Sequence, residues 1–137
     1  MERLGRFEPE LLQTGDWGPD GGYRLMQRLL QQANPPTACF AGSDPMAIGA
    51  LRALHEAGVP VPDGMALAGF DDIELAAFAQ PSLTTVKVYA EQLGRTAVQL
   101  LAERLEGREA AMHVMLDPVL VVRESSGAPS KSADGRQ

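Results

Sequence analysis

The sequence is poor in the residues that most chemistry needs. It holds one cysteine and two histidines in 137 residues. The single cysteine, Cys39, can form no disulfide within the chain, which fits a reducing compartment such as the cytoplasm. One Cys with two isolated His supplies no metal site, so neither a metal nor another cofactor is expected. Basic residues are outnumbered: 12 Lys and Arg face 18 Asp and Glu, for a formal net charge of -6. A surface that binds phosphates needs clustered Lys and Arg, so no nucleic-acid face is expected in this chain. No apolar run approaches the ~20 residues of a membrane span, and the polar start from Met1 to Arg6 leads into no signal-peptide core. A Gly-x-Gly-x-x-Gly fingerprint and a phosphate loop are both missing. His55 and His113 stand apart from the acidic pairs and read as surface or interface residues rather than bases.

What is present is a regular alternation. An apolar fraction of 45% and a charged fraction of 22% suit one globular domain with a real core. Leu11 to Thr14 reads as a first short strand, followed by a loop from Gly15 to Gly18. Pro19 opens a helix to about Ala33, with Tyr23, Met26, Leu29, Leu30 and Ala33 on one face. Ala38 to Ala41 is a second strand. Asp44 then suits an N-cap and Pro45 the first helical position. Ala47, Ala50, Leu51, Leu54 and Ala57 recur at three and four until Gly58 stops the helix. Met65 to Gly69 is the next strand, Ile73 to Phe78 a short helix, and Leu83 to Val88 extended. Glu91 to Glu106 is the longest helix. Met112 to Leu116 and Val119 to Val122 read as strand, broken at Asp117-Pro118. The tract from Ser125 onward is too polar to order itself. Strands alternating with helices give an α/β fold with a mainly parallel sheet in three layers.

Ligands bind such sheets at the edge where parallel strands end. There the sequence puts Asp16 and Trp17, Ser43 and Asp44, Asp71 and Asp72. An aromatic face beside carboxylates and a hydroxyl suits a sugar, whose C–H face packs on the ring while neighbouring hydroxyls donate to a carboxylate. Plainer roles stand beside this one. Trp17 would cover the sheet edge, Asp44 would cap its helix, and Asp72 would cap the helix at Ile73.

The same residues carry a resemblance. In order and spacing, Pro36-Thr37-Ala38, Phe40-Ala41, Ser43-Asp44-Pro45-Met46-Ala47-Ile48-Gly49-Ala50, Gly58-Val59-Pro60-Val61-Pro62, Gly69-Phe70-Asp71-Asp72, Pro81-Ser82-Leu83-Thr84-Thr85-Val86, Gly94-Arg95-Thr96-Ala97 and Leu120-Val121-Val122-Arg123-Glu124-Ser125 resemble the lac-repressor/galactose-repressor family of bacterial transcription regulators. The resemblance implies a partial periplasmic-binding-protein-like (type I) sensor domain over residues 11–126, with an N-terminal extension over 1–10 and a disordered tail over 127–137. It implies effector contacts at Trp17, Ser43 and Asp71, the effector being a small molecule and most simply a sugar. At Ser43 the family most often carries Asn. It implies a homodimer through Ile48, Arg52, Leu75, Phe78 and Ala79. It implies DNA binding only through a helix-turn-helix domain that this chain lacks, together with the first of two subdomains. By the family's pattern the helix from Glu91 to Glu106 belongs with that absent half and lacks its cover here. Two other readings remain: a fragment of a sugar-binding protein of a transport system, and a small hydrolase or isomerase using Asp71.

Overall fold

Short apolar runs become strands only where a neighbouring strand takes up their backbone N–H and C=O groups. In the computed structural model, which describes residues 8–128, four segments meet that condition. They are β1 (Ala38–Phe40), β2 (Ala66–Asp71), β3 (Thr84–Lys87) and β4 (Val119–Val121). The sheet order is β1-β2-β3-β4. β1 lies parallel to β2 with Ala38 opposite Ala66, and β2 parallel to β3 with Ala68 opposite Thr84. β4 closes the sheet antiparallel, with Val119 opposite Lys87. Helices α1 (Pro19–Leu30), α2 (Asp44–Glu56), α3 (Glu74–Phe78) and α4 (Ala90–Leu105) connect and flank the strands. This is the expected α/β architecture with a mainly parallel sheet.

The core forms where α1, α2 and the sheet meet. Met26 and Leu29 of α1, Ala47, Ala50, Leu51 and Leu54 of α2, and Met65, Leu67, Ala76 and Leu83 are all buried there. The two helices approach so closely that their contact uses glycines. A Cβ on Gly49 would stand 2.7 Å from the Pro19 carbonyl carbon and 2.9 Å from Tyr23 N. One on Gly22 would stand 2.6 Å from the Met46 Cα. Pro19 sits where its missing N–H costs nothing, at the start of α1. α2 ends in a Schellman turn, with Gly58 at φ 68°, its N–H on the His55 carbonyl and that of Val59 on the Leu54 carbonyl.

A polar clasp fastens the end of the described chain across the sheet. Ser125 is fully buried, donates to the Leu67 carbonyl at 2.6 Å and accepts from Thr84 N at 2.9 Å. Glu124 accepts from both the amide and the hydroxyl of Ser82 at 2.8 Å. Those two bonds hold its carboxyl below the ordinary range.

Several sequence expectations need correction. Leu11 to Thr14 is not a strand: Pro9–Leu11 is a 3-10 turn, and the extended residues after it have no ladder partner. Leu11, Leu12 and Gln13 line a recess of ≈ 120 Å³ together with Cys39 and Phe40 of β1. Met112 to Leu116 is irregular too, with Met112 and Met115 exposed, so His113 lies on no strand. Ser125 and Ser126, read as the start of an unordered tract, form a 3-10 turn with Glu124. Of the tail expected over 127–137, residues 129–137 lie outside the described residues, as do residues 1–7 of the N-terminal extension. α4 is present and buries none of its residues. No helix among the described residues is long and apolar enough to cross a membrane.

Candidate functional site

Parallel strands end together, so the loops after β1, β2 and β3 share one rim. The loop after β1 is organised by Ser43, whose extended backbone (φ -151°, ψ 158°) makes it the N-cap of α2. Its hydroxyl accepts from Met46 N at 3.3 Å and donates to the Trp17 carbonyl at 3.1 Å. The cap is therefore Ser43 and not Asp44, which is the first helical residue. The second bond ties the loop before α1 to the rim. Trp17 lies against Gly42, where a Cβ would come within 2.9 Å of its Cζ3, and its side chain is 69% exposed. The ring thus seals no core and leaves its surface open to solvent. Asp16 turns the other way, pairing with Arg24 at 2.6 Å.

After β2 the chain makes a tight corner with two non-glycine residues at positive φ, Asp71 (113°) and Asp72 (55°). Asp71 is half-buried. Its carboxyl is held above the ordinary range, by burial first and by the nearby charge of Asp44 second. Asp72 does not cap α3, whose N-cap is Ile73 with no side-chain cap bond. It is instead ion-paired, with Arg123 at 2.7 Å and Lys87 at 3.6 Å. Arg123 also donates to the Leu83 carbonyl at 2.8 Å. Asp44 is fully buried and faces inward, accepting from Thr85 Oγ1 at 2.5 Å and Ile73 N at 2.9 Å.

Ser43 and Asp71 lie on this rim, and Trp17 is tied to it through Ser43 rather than by a strand of its own; Ser43 already has two hydrogen-bond partners. Residue-by-residue reading missed Thr85 and Arg123. The available signal was a lone Arg following an apolar strand, opposite two adjacent aspartates with only one obvious role between them. Beyond β3 a recess of ≈ 570 Å³ opens, lined by Lys87, Val88, Tyr89, Ala90, Glu91, Gln92 and Arg95. The residues expected at a subunit contact divide. Leu75 and Phe78 are 62% and 73% exposed, so they do not pack on the sheet. Ile48 and Ala79 are half-buried, and Arg52 lies over the Tyr23 ring at 5.3 Å while pairing with Glu56.

A family model described as the periplasmic binding protein-like domain matches residues 2–126. The chain belongs to that family. Its curated relatives are LacI-type transcription regulators. This periplasmic binding protein-like domain is 49% identical over 124 residues to the HTH-type transcriptional repressor MelR of Bacillus subtilis (strain 168), covering 90% of this chain and 36% of that protein. It is 40% identical over 123 residues to the repressor PurR of Haemophilus influenzae (strain PittEE), covering 87% and 37%. Among solved structures it is similar to a CelR–cellobiose complex, with TM-score 0.85 and 36% identity over 90% of this chain and 38% of that one. The lac repressor dimer bound to operator and the anti-inducer ONPF gives TM-score 0.77 and 33% identity, over 82% and 39%. The domain thus corresponds to part of the effector-sensing region of these regulators. It spans about a third of the length of the curated relatives it matches.

Proposed function

We propose that this chain supplies one wall of the effector cleft of a LacI-type transcription regulator, and that the effector is a carbohydrate. The observation that carries this reading is the rim itself, with an open indole and a half-buried carboxylate on loops tied to one sheet edge. Trp17 packs against the C–H face of the sugar ring, and Asp71 accepts from neighbouring hydroxyls. Ser43 offers a remaining lone pair and sets the Trp17 loop. The cellobiose in the related CelR complex supports the ligand class. Effector binding biases the arrangement of the two halves of the intact sensor, and a dimer passes that bias on to DNA. In this reading Leu75 and Phe78 lead the subunit contact, with Ile48, Arg52 and Ala79 around them. DNA is met only by a helix-turn-helix outside this chain. In this reading the regulator works in the cytoplasm and is not an enzyme; the bonds of Asp44 to Thr85 and Ile73, which keep it from serving Asp71 as an acid–base partner, support that.

The test is a thermal melt of the chain against cellobiose and a panel of other mono- and disaccharides. A ligand at a hundred times its Kd adds about 2.7 kcal/mol. That moves the melting temperature by roughly 5–10 °C in a domain of this size. A shift abolished by Asp71→Ala and by Trp17→Ala supports the reading. A sugar that binds equally well to both variants overturns the site assignment.

A further inference from the structure

The corner after β2 is costly to build. Asp71 and Asp72 both sit at positive φ, 113° and 55°, and neither is glycine. Backbone of this kind persists only where its surroundings hold it. Here the holding contacts come from other elements. Ile73 N, just past the corner, donates to Asp44 Oδ2 at 2.9 Å. Thr85 Oγ1 donates to Asp44 Oδ1 at 2.5 Å and accepts from Asp72 N at 3.4 Å. Asp44 thus holds two successive amides of the corner, Ile73 directly and Asp72 through Thr85.

Asp44 is an unusual residue to place there. It is fully buried, and a buried carboxylate is a poor source of stability. The fold nevertheless makes room for it. A Cβ on Gly69 of β2 would collide with Asp44 Oδ1, so that strand position stays bare beneath the carboxylate. The cap of α2 belongs to Ser43, so Asp44 is not needed for capping. Both of its observed bonds go to groups that fix the corner.

The geometry points to Asp44, acting with Thr85, as a positioning residue: together they hold the Asp71–Asp72 corner in the backbone that sets the Asp71 carboxylate at the rim for a hydroxyl-bearing ligand. The ligand clause rests on the function proposed above; the positioning does not. The charged groups around Asp71 are Asp44 from α2, Asp72 beside it, and Lys87, which stands opposite Asp71 on β3. Lys87 and Arg123 are themselves engaged by Asp72.

The experiment is NMR on the whole chain, without ligand, comparing wild type with Asp44→Asn, Thr85→Val and Thr85→Ser. Two readouts are taken. One is the intraresidue amide-to-α-proton distance at Asp72, short when φ is near 55°. The other is the titration of the Asp71 carboxyl. Asp44→Asn and Thr85→Val are expected to lengthen that distance and to lower the Asp71 midpoint, while Thr85→Ser, which keeps the hydroxyl, retains both. An Asp44→Asn chain whose Asp71 midpoint falls while its Asp72 distance stays short overturns the proposal, because Asp44 then acts by charge alone. So does Thr85→Val behaving like Thr85→Ser. If Asp44→Asn does not fold, the two Thr85 variants decide. A corner that responds in a chain that binds no sugar leaves this role standing and removes only the effector reading.

Discussion

Adding one methyl group at Gly49 is expected to unseat α1 from α2. The new Cβ would stand 2.7 Å from the Pro19 carbonyl carbon, 2.9 Å from Tyr23 N and closer still to the Pro19 oxygen. These are backbone atoms, and no rotamer change moves them aside. The Pro19 oxygen sets the requirement: restoring a spacing of 3.5–4.0 Å there needs the helices to part by about 2 Å along their seam. Overpacking a tight core costs roughly 1–3 kcal/mol, and a rigid backbone obstacle belongs at the upper end. Against that, alanine gains about 1 kcal/mol over glycine inside a helix. The net for Gly49→Ala is a loss of about 2 kcal/mol, or roughly 4–7 °C in melting temperature. Gly22→Ala meets Met46 across the same seam, so the double variant is expected to lose less than the sum of the two. Gly94→Ala is the matched control. It has open space within 4 Å and lies in α4, so it should raise helix content by far-UV circular dichroism and leave the main melt in place. A Gly49→Ala chain that melts at or above the wild-type temperature would refute the account of the seam.

Other expectations follow from the rim and the clasp. Asp71→Asn should stabilise the chain at pH 7. The folded carboxyl lies above its unfolded value, so the folded state binds its proton more tightly and stability falls as pH rises through that range. The variant should lose this part of the pH dependence in urea titrations, and an unchanged slope would contradict it. Arg123→Ala removes the nearer partner of Asp72, whose side chain is only 10% exposed, and should cost about 1–3 kcal/mol in the same titration, less if Lys87 closes in. Amides of α4 should exchange far faster than those of α2. A helix of this length without packing is marginal in water, and strong protection there would argue for a covering partner.

The helices were legible where local chemistry decides them. Gly58 ended α2 as expected, while Ser43 and Asp44 exchanged roles because the helix begins one residue earlier than Pro45 alone suggests. Strands were legible only where partners exist. Ala66 to Asp71 has two neighbours, whereas Leu11 to Thr14 has a suitable apolar pattern and no ladder. Periodicity reports which face would be buried, not whether anything arrives to bury it. The same limit explains α4: Leu93, Leu101 and Leu105 repeat correctly and remain 47%, 60% and 81% exposed. At the rim, Ser43 and Asp71 stand at strand ends that exist, whereas the strand end expected before Trp17 does not; the bond from Ser43 to the Trp17 carbonyl brings that loop in instead. Thr85 and Arg123 were not readable from the sequence, because their partners lie tens of residues away in the chain, as with Arg123 and Asp72.

β3 and β4 run antiparallel as direct neighbours, with Lys87 facing Val119. Everything between those two residues, α4 included, leaves the sheet and returns to it at one point. Topologically it is a detour rather than a thread, and the sheet does not need it to stay connected. Replacing residues 88–118 with a short Asn-Gly hairpin turn should therefore give a smaller domain that keeps its rim, its seam and its clasp. Its cooperative melt should match the parent's, and a miniature that fails to fold would show that the excursion contributes more than its surface contacts suggest.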